Sequence, residues 1–207
     1  MGEKMLSHTG LSAVLLLDNV DTDQIIPSRE MKRVDRKGFG EGLFAGWRYT
    51  DVAARVEDPD FVLNRKAQAG TSILIAGKNF GCGSSREHAA WALKEYGIRV
   101  IIAESFGEIF HGNCIRNGIL PITLSSEDIG ALASIAAPTE LTVDLVQQKV
   151  MCAHLPDWQR GFEIAAFAKR LLMEGLDPIA LTLTAKDEIE AFFERDAVKR
   201  PWVYSAA

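Results

Sequence analysis

Short apolar runs separated by amphipathic segments dominate the first two thirds of the chain. Four runs of the kind that form buried strands lie at residues 11–17, 72–76, 99–103 and 119–124. Segments with helical periodicity at 85–96 and 106–117 separate the last three runs, and a glycine follows each segment. Because strands and helices alternate here, the pattern predicts a parallel α/β unit with right-handed crossovers.

Beyond residue 125 the pattern becomes more mixed. The elements predicted there are a short helix at 127–136, a hairpin of 140–146 and 149–153, an amphipathic helix at 162–173, a last strand at 179–183 and a charged helix at 185–195. Residues 196–207 are expected to form a weakly structured tail. The sequence therefore predicts one α/β domain over residues 1–195, with a parallel core and a β-rich flank.

Composition and charge narrow the class of protein. Of the 207 residues, 47% are hydrophobic and 25% are charged, which is typical of a soluble globular domain. The net charge of −5 and the lack of a Lys/Arg run argue against nucleic acid as a partner. The first residues lack the apolar core of a signal peptide, and the run at 11–17 is too short to span a bilayer, so a cytoplasmic location is expected.

The cysteines and histidines predict no metal site within this chain. Cys82, Cys114 and Cys152 are widely separated and odd in number, so they indicate no disulfide framework. No Cys-x-x-Cys is present, and metal chemistry is therefore expected to come from another chain. Cys82 is interpreted as a small packed residue, and His88 and His111 as structural residues.

The most informative segment covers residues 77–91 and reads Gly-Lys-Asn-Phe-Gly-Cys-Gly-Ser-Ser-Arg-Glu-His-Ala-Ala-Trp. Its glycines free the backbone ahead of a helix N-terminus, where unpaired N–H groups attract anions. Ser84 or Ser85 is predicted to cap this helix, and Glu87 fits a capping box with Ser84. A well-capped helix would explain these residues, but Arg86, a cation placed against the helix dipole, favours a carboxylate-binding site.

Three motifs together resemble those of a known family. They are Asp21-Thr-Asp-Gln-Ile-Ile-Pro27, Asn79-Phe-Gly-Cys-Gly-Ser-Ser-Arg-Glu-His88 and Asn113-x-x-x-Asn-Gly-Ile-Leu-Pro121. In this order and at these separations they are similar to the small subunits of 3-isopropylmalate dehydratase, in which the swivelling domain of the aconitase superfamily is a separate chain. The resemblance runs from Leu11 to Phe192 and implies the β/β/α fold of that domain.

The resemblance also implies roles for individual residues. Ser84 matches the serine that removes the proton next to a carboxylate, acting as an alkoxide that nearby donors stabilise. Ser85 and Arg86 match positions that bind a substrate carboxylate. Asp23 matches an active-site aspartate, although a residue of an Asx-turn after the strand would explain it equally well. Arg29 matches a substrate-binding arginine, at a shorter spacing than in aconitases.

The function implied is that of a hydro-lyase subunit in leucine biosynthesis, which interconverts 2-isopropylmalate and 3-isopropylmalate. The family resemblance places a 4Fe–4S cluster on a large partner subunit, where an iron acts as Lewis acid on the leaving hydroxyl. In the loop at 37–47, Leu43, Phe44 and Trp47 either form an apolar wall for the isopropyl group or pack in the core. Two alternatives stay open: a paralogous subunit acting on dimethylmalate or methylmalate, and a non-catalytic anion-binding module.

Overall fold

The structure of the chain is a computed structural model that describes residues 3–31, 37–135 and 138–204. The strands are β1 (Ser7–Leu15), β2 (Tyr49–Asp51), β3 (Val56–Glu57), β4 (Ile73–Ala76), β5 (Val100–Ala103), β6 (Leu120–Thr123), β7 (Thr139–Asp144), β8 (Lys149–Cys152) and β9 (Leu155–Gly161). The helices are α1 (Thr22–Ile25), α2 (Ala45–Arg48), α3 (Glu87–Tyr96), α4 (Glu108–Arg116), α5 (Ser126–Ala133), α6 (Ala166–Glu174), α7 (Pro178–Leu183), α8 (Lys186–Lys199) and α9 (Pro201–Tyr204). Short 3-10 helices lie at Ser28–Met31, Gly40–Gly42, Val62–Asn64 and Lys66–Gln68.

A seven-stranded sheet in the order β6-β5-β4-β1-β7-β8-β9 forms the centre of the fold. Strand β1 joins its two halves: residues 12–15 pair in parallel with 73–76 of β4, whereas residues 7–12 pair antiparallel with 139–144 of β7. Strands β4, β5 and β6 are parallel neighbours, and α3 and α4 connect them. The predicted parallel core and β-rich flank are thus confirmed, although β1 begins earlier than its apolar run suggests.

Both faces of the parallel half are buried, which explains why its strands are continuous apolar runs rather than alternating ones. Leu74 and Ala76 of β4 face a core that includes buried residues of α3, α4 and the segment before α2. Ile73 and Ile75, which point the other way, face a second core that includes residues of α5, β7 and α6. The parallel half of the sheet is therefore covered on both sides.

Residues 179–183, predicted as a strand, belong to helix α7, so that prediction is wrong. Asp177 caps this helix by accepting a hydrogen bond from the N–H of Ala180 at 2.7 Å, and Pro178 occupies the first turn. An Asp-Pro pair is a helix-start signal in the sequence. The β-branched residues that follow it suggested a strand, and the cap outweighs their weak propensity.

Strand β9 is absent from the sequence-based prediction, although the hairpin of β7 and β8 before it is confirmed. The strand is polar and contains Pro156, and it forms the edge of the sheet, where a missing N–H is tolerated. A half-exposed edge strand carries little hydrophobic pattern for a sequence-based prediction to detect.

The C-terminal segment is more ordered than expected. Helix α8 continues through residue 196 to Lys199, and α9 follows, so the expectation of a weakly structured tail is wrong for residues 196–204. Asp196 accepts hydrogen bonds from the Arg200 guanidinium at 2.7 and 2.8 Å, and from the Tyr204 hydroxyl at 2.7 Å. The rest of the predicted tail, 205–207, and the predicted helix end at 136 lie outside the described residues. The domain boundary at residue 195 stays a prediction.

Candidate functional site

Two loops meet where the parallel strands β1 and β4 end. The carboxyl ends of parallel neighbours lie at the same edge of a sheet, so the segment after β1 and the loop at 77–86 after β4 become neighbours. Ser84 and Ser85 lie exposed on the second loop, just before α3. This edge is also where ligands bind in open α/β sheets.

Backbone hydrogen bonds hold the two loops together. The Gly81 N–H donates to the Val20 carbonyl at 2.7 Å, and the Thr22 N–H donates to the Cys82 carbonyl at 3.0 Å. Gly81 has a φ of +74°, and a Cβ there would lie 2.2 Å from ring atoms of Phe110. The loop therefore needs a glycine at this position for both its backbone conformation and its packing.

A third loop, which follows β5, supports the other side of the segment. The Phe80 N–H donates to the Ser105 carbonyl at 3.0 Å, and the Gly107 N–H donates to the Phe80 carbonyl at 2.9 Å. Asn79, in the left-handed region at φ 56°, donates a hydrogen bond from its N–H to the Ser105 hydroxyl oxygen at 2.8 Å. Backbone bonds on both sides thus fix the segment before Ser84.

Thr22 positions Ser84 from the side of α1. Its buried hydroxyl donates to the Ser84 carbonyl at 3.1 Å, and the Arg86 N–H donates to the same oxygen at 2.8 Å. These bonds hold the Ser84 backbone and leave its side chain exposed. Sequence reasoning missed Thr22, but a local signal exists: Asp21 and Gln24 form a capping box around it, in which the Gln24 N–H donates to Asp21 at 2.7 Å.

The predicted cap of α3 is wrong. The helix begins at Glu87 with Arg86 as its N-cap, and no side chain caps it. Glu87, expected to complete a capping box with Ser84, instead accepts a hydrogen bond from the Asn117 side-chain amide at 2.8 Å. Because tertiary contacts hold Ser84 in the loop, the first N–H groups of α3 lack a serine cap, which favours binding of an anion there.

Arg86 contacts Asp23 across the two loops. The guanidinium donates a hydrogen bond to the Asp23 carboxylate, and the Ser28 hydroxyl donates to it at 3.1 Å. The hydrogen bond from Arg86 holds the pKa of the Asp23 carboxyl below its ordinary value, and Ser28 acts in the same direction. Since a depressed pKa favours the ionised form, the pair persists at neutral pH and is lost only as the pH falls through the lowered pKa. Asp21, not Asp23, caps the turn after β1, as the N-cap of α1, so the Asx-turn alternative does not explain Asp23.

The structure brings Ser84, Ser85, Arg86 and Asp23 together, but it does not place Arg29 with them. The Arg29 guanidinium lies 3.6 Å from the carboxylate of its neighbour Glu30, and its side chain is 53% exposed. In the described part of the chain, Arg29 makes no hydrogen bond or ion pair with the residues of the Ser84 loop. Its substrate-binding role stays a prediction.

The loop at 37–47 packs in the core rather than lining the site with apolar side chains. Leu43 and Phe44 are 0% exposed, and Trp47 stacks on Phe44 with ring centroids 5.8 Å apart. The Glu95 carboxylate holds the start of the loop by accepting hydrogen bonds from the N–H groups of residues 38, 39 and 40 at 2.5, 2.6 and 3.0 Å. An apolar wall built from Leu43 and Phe44 is therefore wrong, and the core-packing alternative is confirmed for both.

The three cysteines of this chain are free thiols. Cys82 is half-buried, whereas Cys114 and Cys152 are buried, and burial raises the pKa of the Cys114 thiol strongly. Across residues 3–31, 37–135 and 138–204, no three His, Cys, Asp or Glu side chains converge as metal ligands would. His88 packs against the rings of Phe39 and Trp91, as its structural interpretation predicts.

The chain is similar to proteins of one kind in every comparison. Residues 2–127 match the model of the aconitase C-terminal domain. A 3-isopropylmalate dehydratase small subunit from Cupriavidus necator is 54% identical over 98% of each chain. One from Rhodospirillum centenum is 48% identical over 97% of this chain and 98% of its own. These alignments continue past Phe192, beyond the range of the motif resemblance.

A solved structure supports the same fold. The crystal structure of 3-isopropylmalate dehydratase from Methanocaldococcus jannaschii superimposes with a TM-score of 0.66 at 26% identity. The superposition covers 89% of this chain and 98% of that one.

Among the described helices, none is both long and apolar enough to cross a lipid bilayer.

Proposed function

This chain belongs to the family of 3-isopropylmalate dehydratase small subunits, built on the aconitase C-terminal domain, and we propose that it contributes half of a hydro-lyase active site. The complete enzyme interconverts 2-isopropylmalate and 3-isopropylmalate by dehydration and rehydration, in leucine biosynthesis. The observation that carries this proposal is the pair of exposed serines, Ser84 and Ser85, beside Arg86, held by backbone hydrogen bonds at the sheet edge in a chain 54% identical to a named small subunit.

Ser84 is the proposed base that removes the proton next to a substrate carboxylate. A neutral hydroxyl is a weak base, so the alkoxide needs stabilisation by nearby positive charge. The N-terminal end of α3 and the guanidinium of Arg86 are adjacent in the chain and supply a field of the required sign. Hydrogen bonds to its carbonyl from Thr22 and Arg86 keep the Ser84 backbone in place while its side chain stays exposed.

Arg86 and Ser85 are proposed to bind one substrate carboxylate. In this structure the guanidinium of Arg86 already holds a carboxylate, that of Asp23, which supports its use as a carboxylate ligand. Asp23 keeps the cation oriented before the substrate arrives, and the incoming carboxylate then competes with it or shares the guanidinium. By pairing with Arg86, Asp23 reduces the free-energy cost of keeping that positive charge partly buried at the edge of the site.

The partner is proposed to be the large subunit, and it is proposed to hold a 4Fe–4S cluster. The cysteines described above do not fit a cluster within this chain, because they lie apart and Cys114 is a buried thiol. When bound in the partner, such a cluster supplies a Lewis acid for the leaving hydroxyl. This chain contributes carboxylate binding and proton transfer. A cytoplasmic location stays a prediction from the sequence.

Replacing Arg86 with lysine is expected to raise KM more than it lowers kcat. Lysine keeps the charge but loses the planar pair of donors, so about one charge-assisted hydrogen bond is lost. The corresponding increase in KM for 3-isopropylmalate is about tenfold to hundredfold. Steady-state rates of the complex with the large subunit measure it. Arg170→Lys, at an exposed arginine paired with Glu174, is the control, and an unchanged KM in Arg86→Lys contradicts the carboxylate-binding role.

The proposed function itself is tested by co-expression with a 3-isopropylmalate dehydratase large subunit. The purified complex is expected to interconvert the two isopropylmalates, whereas neither chain alone is active. A panel that adds dimethylmalate and methylmalate tests substrate choice, because the carboxylate-binding residues are common to all these acids. Preference for another acid over 3-isopropylmalate overturns the substrate assignment. If absorption spectroscopy shows an intact cluster and the complex is inactive on every acid, the assignment of this chain as an enzyme subunit is overturned.

A further inference from the structure

A polar cavity lies at the opposite edge of the sheet from the Ser84 loop. It has a volume of about 290 Å³, and residues that precede the parallel strands line it. Ser72 comes directly before β4, Arg99 directly before β5, and Gly118 two residues before β6. Because the amino ends of parallel strands share one edge, this cavity is distinct from the site at their carboxyl ends.

Positive charge is concentrated around this cavity. The cations Lys94, Arg99 and Lys4 line it, and Glu3 is its acidic residue. The Arg99 guanidinium lies 3.7 Å from the Glu3 carboxylate, whose side chain is 81% exposed. Such an exposed ion pair is weak and screened by solvent, so one carboxylate compensates the cluster only in part.

Lys94 is a partly buried cation of this cavity. In the described part of the chain its ammonium makes no hydrogen bond or ion pair. Burial lowers the pKa of Lys94, and the charge of Arg99 lowers it further. Burial and Arg99 also lower the pKa of His8, while Glu3 opposes the shift in both groups. Half-buried cations that repel each other are costly without an anion between them.

The helix dipole does not fully account for this arrangement. Lys94 lies in the last turn of α3, where a cation is favourable. However, the carbonyls at that end already have donors: the Leu93 carbonyl accepts from Gly97 and Ile98, and the Lys94 carbonyl accepts from Gly97 and from the Arg99 guanidinium at 3.2 Å. The Lys94 ammonium is therefore not needed to satisfy the helix end.

The neutral groups of the cavity suit an oxyanion. The His8 Nε2 lies 2.8 Å from the Ser72 hydroxyl, and a Cβ at Gly10 would lie 2.0 Å from that hydroxyl oxygen, so the glycine leaves room for the pair. We propose that this cavity binds a small oxyanion, carrying a carboxylate or phosphate group, between the Lys94 ammonium and the Arg99 guanidinium. Ser72 donates a further hydrogen bond, and His8 becomes more readily protonated when the anion is present.

The test is an NMR titration of the full-length chain, which follows the ring protons of His8. Inorganic phosphate and malonate are added in separate experiments, and sodium chloride keeps the ionic strength constant. A saturable shift at His8 and a raised His8 pKa are expected, without a matching change at the exposed His154. Saturation by phosphate alone identifies a phosphate site, by malonate alone a carboxylate site, and by both a general oxyanion site.

Variants separate binding from a general effect of charge. Lys94→Met is expected to weaken the anion about tenfold or more, through loss of one charged hydrogen-bond donor. Lys186→Met, at an exposed lysine of α8, is the control and leaves the affinity unchanged. If the methionine variant unfolds, Lys94→Arg is measured instead. It keeps the positive charge and is expected to retain binding. Equal, non-saturating shifts at His8 and His154, or unchanged affinity in folded Lys94→Met, overturn the proposal.

Discussion

Alanine at Ser84 is expected to lower kcat for 3-isopropylmalate by about 10²–10⁴-fold in the complex with the large subunit, the range for a general base. The change removes only a hydroxyl, and this side chain is exposed. The bonds that hold the loop go to the Ser84 carbonyl, from the Thr22 hydroxyl and the Arg86 N–H, and alanine keeps that carbonyl. Binding of the large subunit and the melting temperature should therefore stay as in the wild type. Initial rates, with analytical ultracentrifugation for assembly, measure the two effects.

The matched control is Ser126→Ala, at an exposed serine at the start of α5 that makes no described contact with the Ser84 loop. It is expected to leave kcat and KM unchanged. If Ser84→Ala also retains activity within about twofold of the wild type, Ser84 is not the base, since loss of a base costs at least about 10²-fold. If Ser84→Ala fails to assemble, the serine has a structural role that its exposure does not suggest.

Alanine at Gly81 is expected to reduce the free energy of unfolding by about 2–6 kcal/mol. Two effects contribute: a non-glycine residue in a strained conformation costs about 1–3 kcal/mol, and overpacking a core costs about 1–3 kcal/mol. Gly81 has a φ of +74°, and the new Cβ would lie 2.2 Å from the ring of Phe110. The ring is buried and packs edge-on against Phe80, with centroids 5.6 Å apart, so it has little room to move. Urea unfolding of the full-length chain measures the loss.

The matched control is Gly130→Ala, within helix α5. A Cβ at Gly130 meets no atom within 4 Å, and its backbone is helical. Alanine there is expected to stabilise the chain by about 0.5–1 kcal/mol, because glycine is the poorer helix former. If the free energy of unfolding of Gly81→Ala lies within about 0.5 kcal/mol of the wild-type value, the loop relaxes around Phe110. The inference that packing fixes the loop before Ser84 is then wrong.

The parallel half of the fold could be predicted because its pattern is local. Each strand there is buried on both faces, so it appears as an apolar run, and α3 and α4 are each followed by a glycine in the left-handed region. Gly97, with φ +117°, ends α3 in this way. The polar edge strand β9 and helix α7 escaped prediction, since the first shows no apolar run and the second begins with a cap rather than with helical periodicity.

Part of the candidate site could also be predicted. Ser84, Ser85 and Arg86 are consecutive, and their chemical types and order suggest an anion site wherever the fold places them. Their geometry could not be predicted in the same way. A local capping box with Glu87 was the simpler interpretation, yet Asn117, thirty positions away in sequence, binds Glu87 instead. Long-range contacts of this kind have no periodic signal in one sequence.

The sequence alone determined the α/β class, the family resemblance and the types of side chain proposed for the chemistry. Each of these depends on residues that are close together along the chain. Only the folded structure decided that Asp23 meets Arg86, that Thr22 holds Ser84, and that the apolar residues of the 37–47 loop belong to the core. These outcomes depend on how strands β1 and β4 pair. That pairing brings together loops about sixty residues apart in the sequence, and it is set by burial of both sheet faces rather than by any local preference.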